Sequence, residues 1–186
     1  MMKNRLVFLL YFLLLSTLLL YHCTNISNSI IAPGESNNLI INPSFEENGD
    51  SSLTDWFVNM PSLVNFTNDT PPNGGNWALT IDVLWGIGNI VTSTVNIPPG
   101  THIYKFSFWS KYFVKSGYAN LSLVTTDSIY IINHIQINSD IWTKYSMIDT
   151  ITSNSKDSLR VTLSGGFFNT LPGNTFFDLL TIELLE

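Results

Sequence analysis

The chain has 186 residues, of which 45% are hydrophobic, 13% aromatic and only 12% charged, and its formal net charge is −6. Charged residues make up about 25% of a typical soluble protein, so Asn, Ser and Thr supply much of the polarity here. The few lysines and arginines form no basic patch, which argues against nucleic-acid binding.

Residues 1–24 have the pattern of a targeting segment. Lys3 and Arg5 form a basic start, and residues 6–21 are apolar apart from one Ser-Thr pair. This run is a little long for the apolar part of a signal peptide and a little short for a membrane-spanning helix. The pattern predicts a signal peptide or a membrane anchor, and a secreted or cell-surface protein. Cys23, the only cysteine, leaves a lipoprotein as a third alternative and leaves the rest of the chain without a disulfide.

Asn-x-Ser/Thr sequons also fit a secreted glycoprotein. They begin at Asn25, Asn65, Asn68 and Asn120. If these asparagines carry glycans, we expect all of them on the surface.

Residues 25–37 are polar and contain a Pro-Gly pair, which indicates a linker. From residue 38 onward, short β-branched and aromatic runs alternate with Gly, Pro, Asn and Asp clusters. We predict strands over residues 38–46, 54–58, 62–66, 76–83, 89–96, 102–113, 118–125, 128–137, 141–150, 158–164 and 175–184. Because no segment has a convincing helical period, the pattern predicts one all-β domain over residues 38–186, a two-sheet antiparallel β-sandwich.

Two predicted strands show which side chains face the core. In the first, Tyr104, Phe106 and Phe108 share one face, and Ser107, Trp109 and Lys111 share the other. In the second, strict alternation puts four isoleucines on one face and a ring, an isoleucine and two polar side chains on the other. The first set is Ile129, Ile131, Ile135 and Ile137, and the second is Tyr130, Ile132, His134 and Gln136.

Three motifs, in this order, resemble a known family. They are NLIINPSFE at residues 38–46, IPPGT leading into YKFSFW at residues 97–109, and FFDLLTI at residues 176–182. The chain resembles the galactose-binding-like jelly roll of carbohydrate-binding modules, the kind grouped in families four, nine and twenty-two. The resemblance spans residues 38–186 and implies a jelly-roll fold and non-catalytic glycan binding. The fold hosts many binding tasks, so the ligand has to be argued from the site.

Carboxylates cluster where the first predicted strand ends. The resemblance implies a structural calcium ion that Glu46 and Asp178 would hold, with Glu47 or Asp50 as a further ligand. The alternative is that Glu46 and Glu47 solvate a turn. Adjacent residues of a strand point to opposite faces, so Glu46 and Glu47 alone cannot be the paired carboxyls of a glycosidase. We therefore expect no catalytic residues.

Exposed aromatic rings are the candidate sugar contacts. We expect Trp56 and Trp142 in the core, whereas Trp109 is out of phase with the core side chains and Trp85 lies in a Gly-flanked loop. Each of these last two either stacks on a sugar or packs beneath a neighbouring segment. Polar side chains on nearby strands would then bond the sugar hydroxyls; they are His134, Gln136 and Asn120, with Ser122 in the same phase.

These observations favour a non-catalytic extracellular module that binds an oligo- or polysaccharide through exposed aromatic rings. A membrane contact is expected only through an uncleaved N-terminal anchor. The first alternative is an extracellular structural or protein-interaction β-sandwich that does not bind sugar. The second, less favoured, is a small glycoside hydrolase.

Overall fold

The computed structural model describes residues 37–83, 90–165 and 173–185. The predicted targeting segment, nearly all of the predicted linker, and Trp85 lie outside these residues. Among the described residues, the structure contains no helix with the length and apolar character needed to cross a membrane.

The described residues form short first strands followed by long ones. In chain order they are β1 (Glu46–Glu47), β2 (Asp50–Ser51), β3 (Phe57–Val58), β4 (Val64–Thr67), β5 (Ala78–Val83), β6 (Ile90–Asn96), β7 (Gly100–Phe113), β8 (Tyr118–Val124), β9 (Ile129–Gln136), β10 (Thr143–Ser153), β11 (Ser158–Ser164) and β12 (Gly173–Leu184). A 3-10 turn at Pro61–Leu63 precedes β4.

Ten of the strands form two antiparallel sheets. The first sheet has the order β10-β7-β12-β5-β4, and the second has the order β3-β6-β11-β8-β9. Strands β1 and β2 form a separate small hairpin. Side chains from the inner faces of both sheets form one hydrophobic cluster. This arrangement confirms the predicted all-β, two-sheet antiparallel sandwich.

Strand β7 contributes much of the core, as its alternation predicts. Tyr104, Phe106 and Phe108 are each no more than 1% exposed. The Phe108 ring stacks on Tyr145 of β10 at 5.4 Å and lies 6.1 Å from Phe177 of β12. These contacts join three neighbouring strands of the first sheet to the inner layer.

Strand β9 departs from the predicted alternation because of a β-bulge. Leu121 of β8 pairs with Asn133, but the next residue, Ser122, pairs with Ile131. The extra residue, Ile132, reverses the phase of the strand. As a result Ile131 is 62% exposed, and Ile135 packs against the core. The prediction that Ile129 and Ile131 share the core face with Ile135 is therefore wrong.

The first predicted strand, residues 38–46, is also wrong in detail. Only Asn38 forms a bridge, to Glu183 of β12, before the chain turns. Asn42 and Phe45 have φ angles of 51° and 58°, in the left-handed region, which interrupts the extended backbone of a regular strand. The Asn-Pro pair favours this turn because proline offers no N–H to a ladder.

Asn38 fastens this N-terminal segment to the last strand. Its Oδ1 accepts the Ile182 N–H at 2.9 Å, and its Nδ2 donates to the Leu180 carbonyl at 2.9 Å. The Leu39 N–H donates to the Ile182 carbonyl at 2.8 Å. Both ends of the domain are thus joined by hydrogen bonds.

Candidate functional site

The outer face of the second sheet presents an ordered array of side chains. Alternate residues of β6, β8 and β11 fill the core, so the residues between them point outward. We call this surface the second-sheet face. It consists of Phe57, Ile90, Thr92, Thr94, Asn96, Tyr118, Asn120, Ser122, Val124, Ile129, Ile131, His134, Gln136, Ser158, Arg160, Thr162 and Ser164.

The strand register aligns this face into rows. One row crosses all five strands through Phe57, Thr92, Thr162, Asn120 and His134, each paired with the next. Neighbouring strands lie about 4.8 Å apart, so the row is about 19 Å long. Hydroxyl, amide and imidazole groups therefore lie at regular spacing, with an aromatic ring at one end.

A pocket of about 440 Å³ lies at the β3–β6–β11 side of this face. It is lined by Phe57, Asn59, Ile90, Thr92, Thr94 and Arg160. This volume is within the range of ligand pockets, which combine apolar surface with a few polar groups. The lining has that mixed character.

Phe57 is the exposed ring that the sequence interpretation missed. Its side chain is 68% exposed, whereas the preceding Trp56 is buried against Phe45 at 5.0 Å between ring centroids. The Trp56 Nε1–H also donates to the Asn42 carbonyl at 3.0 Å, which confirms its predicted place in the interior. Val58, the other residue of β3, packs against the core, and adjacent strand residues point to opposite faces, so Phe57 points outward. The alternation of Trp56, Phe57 and Val58 in the sequence was therefore the signal that could have predicted this exposed ring.

Three predicted site residues meet on the second-sheet face. The His134 Nδ1 lies 2.7 Å from the Asn120 Oδ1, and the His134 ring lies 5.0 Å from the Tyr118 ring. The Gln136 Nε2 donates to the Gly117 carbonyl at 2.9 Å. Asn120 is only 8% exposed, so its amide mainly orients His134. His134 and Gln136 are the exposed members of the group.

Trp109 does not join this group. It lies on β7, where it pairs with Asp178 of β12 and Lys144 of β10, on the outer face of the first sheet. Its side chain is half-buried. The two outer faces are on opposite sides of the shared core, so the structure separates Trp109 from His134, Gln136 and Asn120.

Trp142 is a second departure from prediction. It is half-buried rather than in the core, and its Nε1–H donates to the Asp69 Oδ1 at 3.0 Å. Lys111 donates to the other Asp69 oxygen, and its Nζ lies 5.2 Å from the centre of the Trp142 ring. The hydrogen bond from Lys111 is the main cause of a lowered pKa at Asp69.

The sequons differ in accessibility. Asn65 and Asn68 are exposed, as expected for glycan acceptors, and Asn25 lies outside the described residues. Asn120 is nearly buried, so the expectation that it is a surface acceptor is wrong. Its side chain is enclosed by its neighbours on the second-sheet face and hydrogen-bonded to His134, which leaves no room for a glycan.

Glu46 and Asp178 do come together, and we call them the carboxylate pair. Glu46 Oε1 accepts the backbone N–H groups of Asn76 and Trp77. Asp178 is fully buried; its Oδ1 accepts the Leu179 N–H at 2.7 Å, and its Oδ2 has no hydrogen-bond partner. Such an unpartnered buried oxygen is costly and calls for a ligand or a proton.

The loop at residues 71–77 closes over the carboxylate pair through two glycines. A Cβ on Gly74 would lie 2.4 Å from the Asp178 Oδ2, and a Cβ on Gly75 would lie 2.6 Å from both Glu46 carboxylate oxygens. Gly75 also has a φ of 72°, which side chains disfavour. Both positions must therefore be glycine for the loop backbone to approach the two carboxylates this closely.

Burial raises the pKa of Asp178 to about 8, the Leu179 N–H opposes this shift, and the charge of Glu46 adds to it. A cation between the two carboxylates would instead lower the pKa of Asp178, and carboxylate oxygens are the ligands that calcium prefers. Glu47 points elsewhere, since its Oε2 accepts the Thr54 hydroxyl at 2.8 Å. Among the described residues no cluster of three or more His, Cys, Asp or Glu side chains suits a metal ion. Any further ligands here would be backbone or water oxygens.

Comparison with known proteins supports the fold. No family model matches the sequence, and no curated protein matches it. A family 16 carbohydrate-binding module shares the fold with a TM-score of 0.59 at 18% identity, over 80% of this chain and 100% of that one. TmCBM61, solved in complex with beta-1,4-galactotriose, gives 0.55 at 16% identity, over 80% of this chain and 99% of that one.

One similar structure comes from an enzyme. The enzymatically active domain of tailspike protein 4 from bacteriophage CBA120 gives a TM-score of 0.59 at 13% identity. The match covers 80% of this chain but only 21% of the tailspike domain. At these identities the comparisons establish a shared fold, and they confirm the resemblance to jelly-roll carbohydrate-binding modules.

Proposed function

We propose that the protein is a non-catalytic module that binds an oligo- or polysaccharide on the second-sheet face. The observation that carries this proposal is the exposed Phe57 ring beside a pocket lined by Thr92, Thr94 and Arg160. An exposed ring stacks on the apolar C–H face of a pyranose. The neighbouring hydroxyl and guanidinium groups then bond the sugar hydroxyls, the combination that defines a ligand pocket.

The second-sheet face continues beyond the pocket, across the strands, and so has room for several sugar units in a row. The row from Phe57 to His134 crosses the whole sheet, and His134 and Gln136 remain exposed at its far side. The similar fold of a module solved with a galactotriose supports an oligosaccharide rather than a single sugar.

A non-catalytic role is supported by the composition of this face. Glycoside hydrolysis requires two carboxyl groups about 5–9.5 Å apart across the sugar. None of the residues that make up the second-sheet face is Asp or Glu. The fully buried Asp178 side chain offers no surface to a substrate.

We place this activity outside the cell. The basic and then apolar residues 1–24 support export or anchoring. Exposed Asn65 and Asn68 are consistent with glycosylation in a host that modifies sequons.

A glycan array with two phenylalanine variants tests the proposal. Phe57→Ala removes the ring from the pocket, and Phe113→Ala removes a ring of similar exposure, 66%, from a strand of the first sheet. We expect Phe57→Ala to weaken glycan binding about tenfold, the effect of losing roughly half the burial of a Phe side chain. Phe113→Ala should bind like the wild type.

Other outcomes would support other functions. If the folded wild type retains no glycan, the protein-binding alternative takes the place of this proposal. Release of reducing sugar from a bound glycan would instead establish a hydrolase.

We also propose that a calcium ion binds the carboxylate pair and has a structural role. The unpartnered Oδ2 of Asp178 and the repulsive charge of Glu46 support it. At 100 times its Kd, a ligand of the folded state adds about 2.7 kcal/mol of stability, which corresponds to a rise in Tm of about 5–10 °C for a domain of this size. We expect that rise on adding calcium to the chelated protein, and none with Asp178→Asn. An unchanged Tm in the wild type would contradict a calcium site.

A further inference from the structure

Arg160 occupies a central position on the second-sheet face. It lies on β11, the middle strand of the sheet, and its side chain lines the pocket. It is half-buried, and within the described residues no hydrogen bond, ion pair or ring contact engages its guanidinium. By contrast, Lys105 and Lys111 on the first sheet each pair with a carboxylate.

The surroundings of Arg160 contain no compensating charge. Its cross-strand neighbours are Thr94 on β6 and Ser122 on β8. None of the remaining residues of the second-sheet face is Asp, Glu, Lys or Arg. A guanidinium has five N–H donors and is always charged, so a half-buried one without a protein acceptor is available to an acidic group of a ligand.

Resting on the proposed carbohydrate function, we propose that this site selects an acidic glycan, one that places a uronate carboxylate against Arg160. The planar guanidinium matches the two oxygens of a carboxylate in a bidentate pair, stronger than a hydrogen bond to a neutral hydroxyl. Phe57 stacks on the sugar ring in the same pocket, and Thr92 and Thr94 bond its hydroxyls. The charged contact would recognise the carboxylate, and the neutral contacts would recognise the sugar ring and its hydroxyls. Together they suit a polymer that contains acidic units.

The overall charge of the chain limits this attraction to short range. The net charge of −6 repels a polyanion, and Arg160 is the sole lysine or arginine among the residues of the second-sheet face. Binding through one partly shielded pair should therefore depend only weakly on salt, unlike binding to a basic patch, which falls steeply.

A binding assay with the full-length protein tests this selectivity. The probes are oligosaccharides of polygalacturonate, glucuronoxylan and hyaluronan, each beside its carboxyl-reduced neutral counterpart. Chondroitin sulfate and desulfated chondroitin separate a sulfate contact from a carboxylate contact. The variants are Arg160→Gln, Arg160→Lys and the control Lys144→Gln, which removes an exposed charge on the first sheet.

We expect at least one uronate probe to bind, and its carboxyl-reduced form to bind about tenfold to hundredfold more weakly. Arg160→Gln should lose the same factor, Arg160→Lys should retain part of it, and Lys144→Gln should lose none. A melting curve for each variant confirms folding.

Three results would overturn the inference. Equal binding of neutral and acidic probes, unaffected by Arg160→Gln, would leave carbohydrate binding intact and refute acidic selectivity. Retention of only the sulfated probe would refute the carboxylate assignment. If a folded wild type binds no glycan of any kind, the proposed function fails together with this inference.

Discussion

Without a divalent cation, the protein should become less stable as the pH rises from about 4 to about 8, and Asp178→Asn should remove most of this loss. The pKa of Asp178 is raised from 3.8 to about 8 in the folded state by burial and by the charge of Glu46. Between these two values the folded state holds a proton that the unfolded state has released. The linkage relation then requires the free energy of unfolding to fall as the pH rises.

The size of the effect follows from the width of this window. One pKa unit corresponds to about 1.4 kcal/mol, so a shift of this width gives an upper limit of about 6 kcal/mol. That is a large part of the 5–15 kcal/mol of a typical domain. Asn has nearly the shape of Asp and stays neutral, so the stability of the Asp178→Asn protein should depend much less on pH in this window.

Urea denaturation at several pH values, with EGTA present, measures the prediction. The slope of the free energy of unfolding against pH is compared among the wild type, Asp178→Asn and the control Asp127→Asn, which changes an exposed carboxylate. The reasoning would be refuted if the wild type and Asp178→Asn had the same slope, because Asp178 would then not be the group that titrates.

Three further predictions concern stability. Asn38→Ala should lower the free energy of unfolding by about 2 kcal/mol in urea denaturation, because two hydrogen bonds to β12 are lost; a change below about 0.5 kcal/mol would contradict this. Gly75→Ala should destabilise the protein and weaken its calcium response, since the new Cβ meets the Glu46 carboxylate, and a melting curve with and without calcium checks both effects. Ile131→Ser should change the free energy of unfolding by less than about 0.5 kcal/mol, whereas Ile135→Ser should lower it by about 2 kcal/mol. The reverse order in urea denaturation would contradict the bulge in β9.

Long strands with regular alternation were predictable from the sequence. The predicted strand at residues 158–164 coincides with β11. The predicted strand at residues 102–113 ends with β7 but starts two residues later than β7 does. Tyr104, Phe106 and Phe108 lie inside as predicted. Over residues 104–108 and 159–163 every second residue is apolar, so local pattern and tertiary burial agree.

Features that depend on a neighbouring strand were not predictable in this way. The bulge at Ile132 is a property of the β8–β9 pairing, and it leaves no mark in the run of isoleucines. The segment before the turn at Asn42 and Phe45 bridges β12 only at Asn38, and its apolar run does not reveal how short this pairing is. The sequence predicted Trp109 as a sugar contact, whereas the exposed ring beside the pocket is Phe57.

The carboxylate pair and the proposed glycan site lie in different parts of the fold, which gives a final prediction about calcium. Asp178 belongs to β12 of the first sheet, and the pocket lies on β3, β6 and β11 of the second. No residue of the carboxylate pair lines the pocket. A structural ion bound by this pair would stabilise the fold without contacting a ligand in the pocket.

Chelating calcium should therefore lower the Tm by several degrees but change the Kd for a bound glycan by less than about twofold, provided the Kd is measured well below the Tm. Titration calorimetry at 15–20 °C, with calcium and with EGTA, measures the Kd, and Asp178→Asn serves as the variant that has no calcium response. A glycan should conversely raise the Tm by the same amount with and without calcium, because ligands of independent sites stabilise the folded state additively. A Kd that weakens tenfold on chelation, while the protein remains folded, would show that the ion takes part in glycan binding and that the two sheets are coupled.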